Sequence, residues 1–78
     1  MTVLERVQNV AAAVAKDEEP KQNPDVHLYE TGLIDSFGTV ELMLALEQEF
    51  GIPFSPAEFD AEAWATPRLI AGIVEGRV

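Results

Sequence analysis

Four times along the chain a hydroxyl-bearing residue stands just before an apolar run with helical spacing, and this repeated device leaves helices as the only regular structure the chain announces. Thr2, followed three residues later by Glu5, forms a capping box. Leu4, Val7, Ala11 and Val14 then recur at three- and four-residue spacing, which predicts a helix over roughly residues 3–15. A second helix is expected from Ser36 to a C-terminal glycine at Gly51. Ser55, Pro56 and Glu58 supply another capping box with proline at the first helical position, so a short third helix follows. Thr66 and Pro67 repeat the device before a last helix, which pairs Leu69 with Ile73 and Ile70 with Val74 and ends near Gly76. Residues 16–35, with two prolines and two adjacent glutamates, read as a long loop pinned by Val26, Leu28, Tyr29 and Leu33. No strand alternation intervenes, and the expected fold is all-α: three longer helices and one short one around a common core.

Size limits what that core can do. The 78 residues are expected to form a single domain over 1–78, whose net stability is about 3–5 kcal/mol. There is no cysteine, which excludes disulfides, thiolate metal sites and a cysteine nucleophile, and makes the cytoplasm the expected location. Charged and polar residues interrupt the N-terminal apolar run too early for a signal-peptide core, and no run approaches membrane-spanning length.

Formal net charge is −9, from 14 acids against 5 bases. That balance argues against a nucleic-acid partner and for a basic protein surface. The distribution sharpens the point: no Lys or Arg lies between Lys21 and Arg68, whereas nine carboxylates do.

The second helix has two apolar faces. At 100° per residue, Thr39, Leu42, Met43, Leu46 and Phe50 share one arc, which is ample for burial. Phe37, Val40 and Leu44 fall on a separate arc with Glu41, Glu47 and Gln48. Apolar residues ringed by carboxylates suggest a docking surface for a basic partner with an apolar pocket. The competing expectation is that Phe37 or Leu44 packs under the preceding loop.

At the start of this helix Asp35 and Ser36 set a carboxylate and a hydroxyl side by side. The plain reading is structural: serine is a favoured N-cap, and an adjacent acid suits the positive end of the helix dipole. A hydrolase is disfavoured, because the lone His27 forms no triad with Ser36 and no GxSxG elbow is present. No calcium-loop pattern occurs, and no metal site is expected. His27 reads as a packed or surface residue. Another chemistry suits the place, since a phosphate ester on a serine at a helix start lies against unpaired N–H groups and the positive dipole end.

At these residues, "DSFGTVELMLALEQEFGI", the sequence resembles the prosthetic-group segment of acyl carrier proteins, and the resemblance in length and helix order covers nearly the whole chain. It implies a four-helix carrier fold that is not itself an enzyme. It also implies 4′-phosphopantetheine, transferred from coenzyme A by a phosphopantetheinyl transferase, esterified to Ser36. In that enzyme's complex Asp35 would help position the metal ion, and Phe37, Val40, Glu41, Leu44 and Glu47 would serve partner docking.

Within the family, "ETGLIDSFGTV" and "WATPRLI" look more like D-alanyl carrier proteins than fatty-acid carriers, which commonly hold an acid at the position of Gly38. "TVELMLALEQEF" is equally close to both, so a stand-alone acyl or peptidyl carrier of fatty-acid or secondary metabolism is the alternative within the family. The resemblance further implies an adenylating ligase that loads D-alanine or another amino or acyl acid as a thioester, and a downstream acyltransferase at the membrane. The expected carrier is a monomer. The rival from a different class is an unmodified acidic adaptor binding a basic protein.

Overall fold

The computed structural model describes residues 1–77, and among them every regular element is helical. Helix α1 spans Val3–Ala15. The Thr2 hydroxyl oxygen accepts from the N–H of Glu5 at 3.1 Å, and the Glu5 carboxylate accepts from the N–H of Thr2 at 3.1 Å. These hydrogen bonds to its charged form hold the Glu5 carboxyl below the ordinary carboxylate range.

The segment expected to be loop contains a further helical turn, α2, over Glu19–Gln22. Asp17 Oδ1 accepts from the N–H of Glu19 at 2.8 Å, Pro20 sits in the first turn, and the Gln8 side chain donates to the carbonyls of Pro20 and Lys21 at 3.0 and 3.2 Å. One turn is too short to show a period, so its only sequence signal is an acid run ending in proline. The chain thus has two short elements beside its three longer helices, where one was expected.

Helix α3 spans Ser36–Phe50 and ends at Gly51, whose φ of +68° is the left-handed conformation that glycine adopts without a Cβ penalty. The expected short helix is a single 3-10 turn over Pro56–Glu58 with its capping box formed. Helix α4 spans Pro67–Glu75, with the Thr66 hydroxyl accepting from the N–H of Leu69 at 3.1 Å.

Helix α1 is the element on which α2, α3 and α4 all pack. Val7 and Ala11 from α1, Leu42 and Leu46 from α3, and Ile70 and Val74 from α4 meet in the core. Val26, Leu28 and Ile34 join it from the long connection, and Phe54 packs edge-on against Trp64 within it, with ring centroids 5.3 Å apart. The long connection is stitched to the segment before α4 by backbone bonds, Leu28 N–H to Ala65 carbonyl at 2.8 Å and Arg68 N–H to Pro24 carbonyl at 3.0 Å.

Three arginines are spent on local ion pairs: Arg6 with Glu49 at 2.7 Å, Arg68 with Asp25 at 2.8 Å and Arg77 with Glu58 at 3.0 Å. All are open to solvent, which screens them, so each contributes little to stability. The Arg77 guanidinium, foremost, and the Ser55 N–H hold the Glu58 carboxyl below its ordinary range, while the Asp25 carboxylate raises the Arg68 guanidinium further. Their placement matters more for function, because it leaves the start of α3 free of arginine.

Candidate functional site

Asp35, not Ser36, caps α3. Its backbone is extended, with φ −93° and ψ −173°, its Oδ1 accepts from the N–H of Gly38 at 2.7 Å, and its carbonyl accepts from the N–H of Thr39 at 2.9 Å. The plain expectation of a serine cap is therefore corrected. Asp and Ser are near-equal caps, and neither choice places Glu or Gln at the third helical position, so the sequence held no signal to decide between them. Ser36 becomes the first helical residue, is exposed, and its hydroxyl makes no hydrogen bond among the described residues.

Of the N–H groups that the helix start leaves without intrahelical partners, that of Gly38 is satisfied by the Asp35 carboxylate, while Thr39 donates the first helical bond to the Asp35 carbonyl. Those of Ser36 and Phe37 make no hydrogen bond among the described residues and lie at the positive end of the dipole. An uncommitted hydroxyl thus sits where an attached anion gains stabilisation without disturbing the cap.

Gly38 is part of this start for a steric reason. A Cβ there would lie 2.8 Å from Ile34 Cγ2, and Ile34 is a core residue. The connection and the helix therefore approach closely just before Ser36.

Beside Ser36 lie two adjoining open depressions. One of about 290 Å³ is walled by Tyr29, Ile34, Asp35, Ser36, Thr39, Phe59 and Ala61. The other, of about 250 Å³, runs along α3 past Ser36, Val40 and Met43 to Pro56 and Phe59. Tyr29 packs edge-on against Phe59, with centroids 5.5 Å apart, and its hydroxyl is buried without a hydrogen-bond partner among the described residues. Burial pushes this phenol up to about 12. A larger depression of about 500 Å³ between α1 and α2 is lined by residues such as Asn9, Lys16 and Lys21 and does not include Ser36.

His27 braces its own connection. Its Nδ1 accepts from the N–H groups of Tyr29 and Glu30 at 3.3 and 3.0 Å, so that nitrogen carries no proton in this arrangement. Among the described residues no group of three or more His, Cys, Asp or Glu side chains could hold a metal ion.

The second face of α3 is open. Phe37, Val40 and Leu44 are 82, 54 and 54% exposed, so none is sealed under the preceding connection. Glu41 is exposed beside them, as is Gln48. Glu47 differs: it is half-buried and its carboxylate accepts from the N–H of Phe54 at 2.8 Å, pinning the chain after α3 to the helix. Periodicity places it on the docking arc but does not reveal this bond, which depends on how the chain folds back after Gly51.

Over residues 5–74 the sequence matches the family described as the phosphopantetheine attachment site. The chain belongs to this family of carrier proteins. It is similar to the D-alanyl carrier proteins of Bacillus velezensis, at 46% identity, Bacillus licheniformis, at 48%, and Bacillus subtilis, at 47%, each over 70 residues and 90% of both chains. The prosthetic group of the family is 4′-phosphopantetheine, and the site fits it: an exposed, unbonded hydroxyl at a positive helix end, with open depressions beside it. The carrier has no helix long and apolar enough to cross a membrane among its described residues.

Proposed function

We propose that Ser36 carries the phosphopantetheine arm and that the carrier, a single domain over 1–78, holds D-alanine on it for modification of a cell-envelope polymer. When bound, the group supplies a terminal thiol on which an aminoacyl unit is held as a thioester. The observation that carries the assignment is the capping of α3 by Asp35, which leaves the Ser36 hydroxyl exposed and unbonded at the helix start. Asp35 has a second task in this reading, orienting a metal ion within the complex with the phosphopantetheinyl transferase. The identity of the cargo rests on the likeness to D-alanyl carrier proteins.

The carrier itself catalyses nothing: an adenylating ligase loads it, and an acyltransferase at the membrane unloads it from the cytoplasmic side. It works as a monomer, because its exposed apolar face must stay free for successive partners. Phe37, Val40 and Leu44 supply contact and Glu41 supplies steering. Asp35, Glu41, Asp60 and Glu62 have no basic partner within ion-pair distance among the described residues. Surface charges of this kind raise encounter rate more than lasting affinity, which suits rapid release.

Loading tests the cargo. The modified carrier is expected to accept D-alanine from a D-alanine-activating ligase in preference to fatty acyl chains. Efficient loading by fatty-acid enzymes, with none by that ligase, would assign it to the other branch.

A second expectation concerns the open face. Glu41→Lys should slow ligase loading about three- to tenfold at low ionic strength and leave the denaturation midpoint unchanged, and added salt should slow the wild type. Glu47→Lys is the informative contrast, because it should also lower stability by removing the acceptor of the Phe54 N–H. Equal loading rates for Glu41→Lys and wild type at low salt would exclude steering by this face.

A further inference from the structure

Two glycines lie inside helices, Gly38 in α3 and Gly72 in α4, and neither has a positive φ, so neither backbone conformation calls for glycine. Helix propensity favours alanine at both positions. The space around them differs. A Cβ on Gly72 would meet nothing within 4 Å, whereas one on Gly38 would stand 2.8 Å from Ile34 Cγ2 and 3.4 Å from Asp35 Oδ1. Ile34 has little room to give. It is buried, its N–H donates to the Leu28 carbonyl at 2.9 Å, and β-branching stiffens its χ1. Leu28 is itself fully buried, with its N–H bonded to the Ala65 carbonyl at 2.8 Å.

A side chain at position 38 would therefore press on the residues that build the helix start. Ile34 is the chain neighbour of Asp35, and the Gly38 N–H is the donor of the capping bond to Asp35 Oδ1 at 2.7 Å. The Asp35 carbonyl accepts in addition from the Thr39 hydroxyl at 2.9 Å. Ile34, Asp35 and Gly38 thus bracket Ser36 in one set of close contacts. We propose that Gly38 is a positioning residue for phosphopantetheine transfer: by leaving space for Ile34 Cγ2 it lets Asp35 cap α3, and the cap fixes the Ser36 hydroxyl for attack. The inference rests on the assignment of the arm to Ser36 and adds what holds that hydroxyl in place. In the transfer, the Ser36 oxygen gains the pantetheine-bearing phosphorus of coenzyme A and gives up its proton to the medium, and adenosine 3′,5′-bisphosphate leaves from that phosphorus. A nucleophile misplaced by about 1 Å can lose up to about a hundredfold in rate.

The test compares Gly38→Ala with Gly72→Ala in the full chain, using coenzyme A and a phosphopantetheinyl transferase. Propensity alone would raise the urea midpoint of both. Gly72→Ala should raise it and Gly38→Ala should lower it, with the amide proton of residue 38 moving upfield as the capping bond lengthens. Corrected for the unfolded fraction, kcat/KM for modification should fall about tenfold in Gly38→Ala and stay unchanged in Gly72→Ala. Val74→Ala, which weakens the core from α4, should also keep the wild-type value after that correction. Ile34→Leu removes the Cγ2 methyl at nearly constant volume. Added to Gly38→Ala, it should restore the residue 38 amide shift and bring kcat/KM to within about threefold of wild type. A raised midpoint with an unchanged rate in Gly38→Ala would overturn the positioning role while leaving the attachment at Ser36 intact, and so would a slow rate that Ile34→Leu does not restore. A wild type that gains no arm would overturn the attachment itself, and the positioning role with it.

Discussion

Ser36→Asp is expected to keep the helical content of the wild type and to acquire no phosphopantetheine, whereas Ser55→Ala acquires one arm per chain as the wild type does. The contrast is clean because the two serines are the only ones in the chain and their roles differ. Ser55 accepts from the N–H of Ala57 at 3.3 Å in its own capping box, while the Ser36 hydroxyl accepts from no group among the described residues. An aspartate at the first position of α3 suits the dipole and retains an anion there, but it lacks the hydroxyl that must attack the pantetheine-bearing phosphate of coenzyme A and release adenosine 3′,5′-bisphosphate. Because Asp35 holds the cap, Ser36→Ala should cost less than about 0.5 kcal/mol. Asp35→Ala should cost about 1 kcal/mol, and its modification should slow as well, if the carboxylate also orients the transferase metal. Intact mass and urea denaturation of these four variants separate cap from attachment. Modification of Ser36→Asp, or a wild type that never gains mass with a competent transferase, would return the acidic adaptor as the better reading.

Helix positions were legible wherever a cap and a period agreed. Thr2 with Glu5, Ser55 with Glu58, Thr66 with Pro67 and Gly51 each stand where the sequence places them, because these devices act within four residues and need no tertiary partner. Leu42, Met43 and Leu46 were likewise assigned to the buried arc and are buried. What escaped depends on contacts between distant segments. Helix α2 is held by Gln8 from α1, Glu47 reaches the N–H of Phe54 across Gly51, and Tyr29 meets Phe59 thirty residues later. No periodicity encodes such pairs. The candidate site was legible at Ser36 from residue chemistry and resemblance together, but which neighbour caps the helix was decided only by backbone geometry. Asp35 takes the extended conformation of a cap because Ile34 is anchored in the core and its N–H donates to the carbonyl of Leu28 at 2.9 Å.

That anchoring gives the second large effect: Leu28→Ala should unfold much of the carrier under native conditions. Leu28 is fully buried, its N–H is bonded to Ala65, and its carbonyl receives Ile34. Truncating a leucine at such a site costs about 2–5 kcal/mol, through lost transfer energy and the cavity left behind. A single small core without disulfides supplies only about 3–5 kcal/mol in all. The variant is therefore left near the midpoint of its own unfolding equilibrium, where a wild type of this size is cooperatively folded. Far-ultraviolet dichroism and the fluorescence of Trp64, the sole tryptophan, should report the loss together, since both belong to one core. Leu44→Ala is the matched control: its side chain is exposed on the docking face, so its midpoint should stay within about 0.5 kcal/mol of wild type while ligase loading slows. A Leu28→Ala carrier as stable as Leu44→Ala would mean that the connection merely lies on the core. A large loss of stability, with modification slowed in proportion to the unfolded fraction and restored by a stabilising osmolyte, would mean that the connection is part of the core and that the geometry presenting Ser36 is built by it.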